Sequence, residues 1–191
     1  MENQENYTKE KLTINLVWAN IFSVLMIIPA GLVFGLPYWL IWKNNVFRYD
    51  FPFQNDFVKY GMLILVFIVG IVAHELIHGM MIAKFAKNGF KSIKFGVMWK
   101  MFSPYCHCKE PLTKRQYVIG AITPAIILGF IPAILAIILG NIVLLAFGIV
   151  FILAASGDFL IIHALRKEKM YTFVEDHPSE AGCFVYRPIE N

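Results

Sequence analysis

Residues 74–78 read His74-Glu75-Leu76-Ile77-His78, with two histidines four residues apart and a glutamate next to the first. On an α-helix this spacing places both imidazoles on one face, one turn apart, so that both can bind one metal ion. The glutamate beside them can take a proton from a metal-bound water. The spacing predicts a zinc site with Glu75 as general base. The alternative is a set of histidines that hydrogen-bond to neighbouring helices.

The motif lies in a chain whose charges are strongly clustered. Of the 191 residues, 58% are hydrophobic and 16% are charged, whereas soluble domains carry about 25% charged residues. Residues 12–42 contain no Asp, Glu, Lys or Arg, residues 60–83 contain only Glu75, and residues 116–165 contain only Asp158. A helix needs about 20 apolar residues to cross a bilayer. The composition therefore predicts a membrane protein, in which a His-Glu-His cluster costs several kcal/mol unless it is paired or metal-bound.

We expect a single membrane-embedded domain, residues 1–191, of the all-α class with four transmembrane helices. The tract 116–165 is long enough for two spans, and Gly140-Asn141 near its midpoint is a natural turn. The predicted spans are residues 16–42, 57–83, 116–139 and 142–165. The tails, 1–15 and 166–191, are polar and have no predicted element.

The segment between the second and third spans, residues 84–115, has a pattern of its own. From Ile93 to Met101, apolar residues alternate with lysine, glycine and methionine. A period of two predicts a small strand or hairpin at the membrane surface. A surface loop whose lysines meet anionic lipid headgroups is the alternative, and the two are compatible.

The basic residues predict the topology. With four spans, the two tails and segment 84–115 share one side, and that side holds 14 of the 17 Lys and Arg residues. The positive-inside rule places it in the cytoplasm, which gives a multi-pass protein of the cell membrane with both termini cytoplasmic. This placement argues for lipid and against nucleic acid as a partner. Cys106, Cys108 and Cys183 then face a reducing compartment as free thiols.

A catalytic zinc needs a third protein ligand. The extended pattern H-E-x-x-H-x-x-G-x-x-H fails because Lys84 stands where its last histidine would be. Asp158 is favoured because an acid within a membrane span is a functional candidate by default. It lies about 12 Å from the basic end of its helix, and His74 lies about 15 Å from the end of its own, at about 1.5 Å per residue. Glu110 and His107, both in segment 84–115, remain alternatives.

Three further features have structural interpretations. Thr123-Pro124 predicts a helix irregularity in which the hydroxyl bonds back to the preceding turn, with a substrate-binding role as the alternative. His163 is expected to be a polar residue near the membrane surface. The run Asp176-His177-Pro178 is typical of a turn, and the alternative is a segment that covers the active site.

These features together resemble a known group of proteins. The histidine motif in a membrane helix, a basic strand-like segment and Ser156-Gly157-Asp158 in a later span are similar to the site-2 protease superfamily of intramembrane zinc metalloproteases. Over about residues 57–186 the chain more closely resembles a bacterial family of four-span zincin peptidases, the DUF3267 group. The runs 108–112 (Cys-Lys-Glu-Pro-Leu) and 177–179 (His-Pro-Ser) add to this likeness. The resemblance implies that zinc is bound by His74, His78 and Asp158, with Glu75 as the base.

The sequence thus predicts a zinc-dependent intramembrane peptidase that hydrolyses peptide bonds of a membrane-associated protein or peptide. The alternative is a non-catalytic zinc-binding membrane protein, such as an immunity factor, a chaperone or a transporter component. Glu75 distinguishes the two, because a pure binding site has no use for a glutamate that is not a ligand.

Overall fold

The computed structural model describes residues 7–46, 55–99 and 103–189, and four long helices account for most of them. They are α1 (Val17–Trp42), α2 (Asp56–Ala83), α3 (Lys114–Leu139) and α4 (Ile142–Lys167). Each has at least 26 residues and is apolar enough to cross a membrane by length and composition. The predicted bounds agree with these to within two residues at every end.

Three of these helices depart from regular α geometry. A wide π turn covers Gly31–Gly35 in α1, and another covers Ala125–Phe130 in α3, directly after Pro124. Proline lacks a backbone N–H and conflicts sterically with the preceding turn, so a local change of winding is expected there. Helix α4 is interrupted at Ala155, and its second part begins at Ser156.

The chain divides into two compact units, and the divisions fall inside continuous helices. The first unit combines Met1–Asn20, Glu75–Thr123 and Gly157–Asn191. The second combines Ile21–His74 and Pro124–Ser156.

The first unit contains the strands of the described chain. They are β1 (Tyr7–Thr13), β2 (Ile93–Met98), β3 (Ser103–Cys108), β4 (Leu112–Thr113), β5 (Phe173–Asp176) and β6 (Gly182–Pro188). All the pairings are antiparallel, in a four-stranded sheet of order β1-β6-β5-β4 and a separate β2-β3 hairpin. The core of this unit is a cluster of buried side chains: Ile82, Cys108, Leu112, Tyr117, Leu165, Val174, Cys183 and Val185.

The four-stranded sheet adds to the predicted fold, which had a single strand or hairpin element, in segment 84–115, and no element in the polar tails. Strand β1 precedes α1, β4 precedes α3, and β5 and β6 follow α4. The sheet therefore joins both tails to segment 84–115. Strand β1 was missed because its residues, Tyr-Thr-Lys-Glu-Lys-Leu-Thr, have no apolar alternation. It pairs instead through its backbone and through ion pairs such as Lys9 with Glu175 and Lys11 with Glu180.

The β2-β3 hairpin confirms the strand prediction for the segment after α2. Its register places Ile93 opposite Cys108 and Gly96 opposite Tyr105. The hairpin packs on α2, because a Cβ atom on Gly79 would lie only 2.4 Å from Cζ of Phe95. The hairpin thus lies against α2 one residue after His78. Residues 100 and 101 of the predicted strand lie outside the described part of the chain.

In the second unit, α3 and α4 meet closely through small residues. A Cβ atom on Gly148 would lie 2.6 Å from the backbone nitrogen of Ala133. The predicted turn between the two helices is confirmed: Gly140 is left-handed, with φ of 69°. The side chain of Asn141 then accepts a hydrogen bond from the backbone N–H of Leu144, which caps the start of α4.

Candidate metal centre

Helix α2 carries the His-Glu-His motif in its last three turns. His74 and His78 are both buried, each 7% exposed, and Glu75 is half-buried. The helix runs unbroken from Asp56 to Ala83, so the two histidines share one face at a separation of one turn. The motif therefore has the local geometry that its spacing predicted.

Asp158 lies in the first turn of the second part of α4, Ser156–Ala164. Its Oδ1 atom is 3.4 Å from Nε2 of His78. Two ligands held at about 2.1 Å from a tetrahedral zinc ion lie about 3.4 Å apart, so this separation is the one that a shared ion requires. The acid and the second histidine of the motif therefore meet as the sequence predicted.

The other ring nitrogen of His78 faces helix α3. Its Nδ1 atom lies 2.9 Å from the backbone oxygen of Gly120. A carbonyl oxygen can only accept a hydrogen bond, so Nδ1 carries the proton and donates it. In the neutral ring, Nε2 then holds a lone pair directed towards Asp158. Metal-binding histidines typically have this arrangement, with one nitrogen free for the metal and the other donating to a carbonyl or carboxylate.

His74, His78 and Asp158 form one group in which a ligand atom from each lies within 4.8 Å of the others. Two imidazoles and one carboxylate are a known ligand set of catalytic zinc, which leaves a fourth position for water. The donor types, the 3.4 Å separation and the orientation of His78 all fit a zinc ion.

His74 is the last residue of its segment of the second unit, and its ring packs against aromatic side chains of the same unit. Its centroid lies 6.3 Å from that of Phe151, and the two rings are nearly parallel. Phe151 is only 1% exposed and also packs on Phe67 and Phe147. A Cβ atom on Gly70 would lie 2.4 Å from Phe151, so the absence of a side chain at Gly70 makes room for this ring. No spacing pattern in the sequence singles out Phe151 for this contact.

The two alternative third ligands are engaged elsewhere. The carboxylate of Glu110 accepts hydrogen bonds from the backbone N–H of Lys87 and the hydroxyl of Ser92, which lowers its pKa and closes the loop after α2. The Nδ1 atom of His107 lies 4.0 Å from Asp176. Neither belongs to the group formed by the two motif histidines and the acid of α4.

The other residues that the sequence singled out make local contacts outside the metal group. The Thr123 hydroxyl donates to the backbone oxygen of Ile119 at 2.6 Å, the bond to the preceding turn that was predicted. His163 is exposed near the end of α4. In the tail, Nδ1 of His177 accepts the backbone N–H groups of Ser179 and Glu180, which builds the turn between β5 and β6.

The hairpin strand β3 carries a half-buried thiol into the acidic surroundings of the site. Burial raises the pKa of the Cys106 thiol well above its usual range, and the negative charges of Glu75, Asp176 and Asp158 raise it further. A raised pKa keeps Cys106 a neutral thiol.

Asp176 is a buried acid in β5, although its sequence context is typical of a turn. Its Oδ1 atom accepts the Tyr117 hydroxyl at 2.6 Å, and its Oδ2 atom accepts the backbone N–H of Cys108 at 2.7 Å. Burial raises its pKa, and these two hydrogen bonds oppose the shift. Asp176 thus ties the end of the hairpin to α3 and to β5. No local sequence pattern could have revealed this link, because its partners are 59 and 68 residues away.

The profile of the DUF3267 family, described as "Putative zincin peptidase", matches residues 67–173, which is more than half of the chain. The chain belongs to this family, as its resemblance predicted. The matched range contains the histidine motif, the hairpin and Asp158. No curated protein and no solved structure matches the chain.

Proposed function

We propose that the protein is a zinc-dependent intramembrane peptidase of the site-2 protease type. The observation that carries this proposal is the group formed by His74, His78 and Asp158, together with the orientation of His78. Membership of a zincin peptidase family supports the same reaction class. The four apolar helices support a membrane location.

The proposed topology has both termini and segment 84–115 on the cytoplasmic side of the cell membrane. The four-stranded sheet supports a shared side, because it pairs strands from all three segments. The excess of Lys and Arg in these segments supports the cytoplasm as that side. In this topology the protein is surrounded by membrane lipid, which is the partner we propose besides the substrate.

His74, His78 and Asp158 would hold the zinc ion. When bound, a zinc ion would act as a Lewis acid, which lowers the pKa of a water ligand towards neutrality and polarises a carbonyl group. Glu75 follows His74 directly on the same helix, and we assign it the role of accepting a proton from the attacking water and returning it to the leaving amine. The Gly120 carbonyl and the Phe151 ring fix the orientations of the two imidazoles.

The substrate class we propose is a membrane-associated protein or peptide in an extended conformation. A peptide bond within a helix is shielded by its backbone hydrogen bonds, so the segment to be cut must unwind. In the described chain, each strand of the β2-β3 hairpin pairs only with the other, and we assign the outer edge of β2 as the place where an extended peptide would pair. The hairpin lies against α2 at Gly79, next to His78.

The test of this function is Glu75→Gln, which keeps the shape of the side chain and removes the base. Membranes from cells that make wild type or the variant are compared by mass spectrometry of labelled protein N-termini. A peptidase produces N-termini that depend on Glu75, and we expect their yield to fall by at least 100-fold in the variant. Glu110→Gln is the matched control, because it changes a carboxylate of the loop outside the metal group.

Identical sets of N-termini in wild type and Glu75→Gln would contradict a peptidase. If zinc binding persists in both, the protein would be a non-catalytic zinc-binding membrane protein. The comparison of N-termini tests Glu75 as the base, and the measurement of zinc binding tests the metal ligands.

A further inference from the structure

The carbonyl that orients His78 is not engaged in the regular bonding of its own helix. In an α-helix the oxygen of residue i accepts the N–H of residue i+4. Four residues after Gly120 stands Pro124, which has no N–H to donate. The Gly120 oxygen is therefore released from this bond, and it accepts Nδ1–H of His78 at 2.9 Å.

Gly120 is also the point at which α3 approaches α2 closely. A Cβ atom there would lie 2.6 Å from Cγ1 of Ile82, a residue that is 5% exposed. The missing side chain lets the backbone of α3 come within hydrogen-bonding distance of the histidine. The Pro124 side chain is itself fully buried, and the π turn Ala125–Phe130 follows it.

We propose that Pro124 is a positioning residue for the metal centre: it reserves the Gly120 carbonyl for His78 and so holds Nε2 of His78 as a ligand. Pro124 acts through Gly120 and touches neither metal nor substrate. The inference rests on the proposed zinc site, and it adds a reason for the sequence Gly-x-x-x-Pro in α3.

The test compares Pro124→Ala with wild type in zinc affinity, measured by competition with a chromogenic chelator. Alanine restores the N–H at position 124, which competes for the Gly120 oxygen and draws it back towards the helix axis. Loss of an outer partner of a ligating histidine weakens metal binding by about 10–100-fold. We expect about 10-fold, since a carbonyl oxygen can accept two hydrogen bonds.

Pro132→Ala is the matched control. Pro132 is another proline of α3, eight residues or about 12 Å further along the helix. It should leave the zinc affinity unchanged. Equal affinities in Pro124→Ala and wild type, or equal losses in the two proline variants, would overturn the inference. A wild type that binds no zinc would instead overturn the proposed function.

A second measurement needs no variant at these prolines. Zinc-loaded protein is labelled with ¹⁵N at histidine in a background where His107, His163 and His177 are glutamine. The ¹⁵N spectrum distinguishes a protonated ring nitrogen from a metal-bound one. For His78 we expect a protonated Nδ1 and a metal-bound Nε2, and zinc on Nδ1 of both remaining histidines would overturn the inference.

Discussion

The buried carboxylate of Asp176 is predicted to hold the β2-β3 hairpin in place beside the candidate metal centre. Each of its oxygens accepts one hydrogen bond, from the hydroxyl of Tyr117 and from the backbone N–H of Cys108. The Asp176 side chain is only 13% exposed, so solvent cannot readily replace it as an acceptor. Asp176→Ala should therefore loosen the end of β3.

The size of the effect follows from the two donors left without an acceptor. Leaving a buried donor unsatisfied costs about 1–3 kcal/mol, and two of them give about 3 kcal/mol for Asp176→Ala. Asp176→Asn keeps both contacts, because its amide oxygen can accept the N–H of Cys108 and its NH₂ group can donate to Tyr117. It loses only the charge of the acceptor, so we expect about 1 kcal/mol.

The thiol of Cys108 reports on this opening for two reasons. Cys108 is only 1% exposed, and its own backbone N–H donates the hydrogen bond to Asp176. In a background of Cys106→Ser and Cys183→Ala, a thiol reagent can label Cys108 only when the region opens. A factor of ten corresponds to about 1.4 kcal/mol, so labelling should accelerate by about 100-fold in Asp176→Ala and by less than 10-fold in Asp176→Asn.

Glu175→Gln is the matched control, because it neutralises the adjacent carboxylate of β5, whose partners are Lys9 and Tyr186. Its labelling rate should stay near that of wild type. A rate for Asp176→Ala within threefold of wild type would refute the tie between the hairpin and the C-terminal sheet. Equal acceleration in Asp176→Ala and Asp176→Asn would show that charge, and not hydrogen bonding, holds the hairpin.

Two other predictions concern pH and packing. Hydrogen bonds from Arg187 lower the pKa of Glu168 below its ordinary value of 4.5, so their stabilisation is present above that pH and is lost as the pH falls through the lowered pKa. Thermal unfolding of the protein in detergent should accordingly lose less stability between pH 6 and pH 3 in Glu168→Gln than in wild type, and parallel pH curves would contradict this. Gly148→Ala should lower the free energy of unfolding by about 1–3 kcal/mol, because its Cβ meets the backbone of Ala133 at 2.6 Å. Gly61→Ala, which would meet nothing within 4 Å, should leave stability unchanged or raise it, and equal melting temperatures for the two glycine variants would contradict the packing argument.

The four long apolar helices could be predicted from the sequence because the requirement for crossing a membrane is local. About 20 consecutive apolar residues satisfy it, and the three charge-poor tracts supply them. The group formed by His74, His78 and Asp158 could be predicted from the sequence for a related reason. An acid such as Asp158, isolated in an apolar tract, needs a partner, and the two histidines of α2 are polar groups at a similar depth.

The sheet and the supporting contacts of the site could not be predicted in this way. Strand β1 pairs with β6 across more than 160 residues of chain, and its exposed polar residues give no apolar pattern. The roles of Asp176 and Phe151 depend on partners that only the fold brings near. Pro124 is an intermediate case: the sequence predicted an irregular helix there, but not which carbonyl the proline releases or which histidine uses it.

The measurement that tests the central claim most directly is the zinc content of the purified protein, determined by mass spectrometry for wild type and three variants. We expect about one zinc per chain in wild type and in Glu75→Gln, and less than about a tenth of that in His78→Ala and Asp158→Ala, because zinc would keep only two protein ligands in each. A metal-free wild type purified without chelator at neutral pH, or full zinc content in Asp158→Ala, would contradict the account.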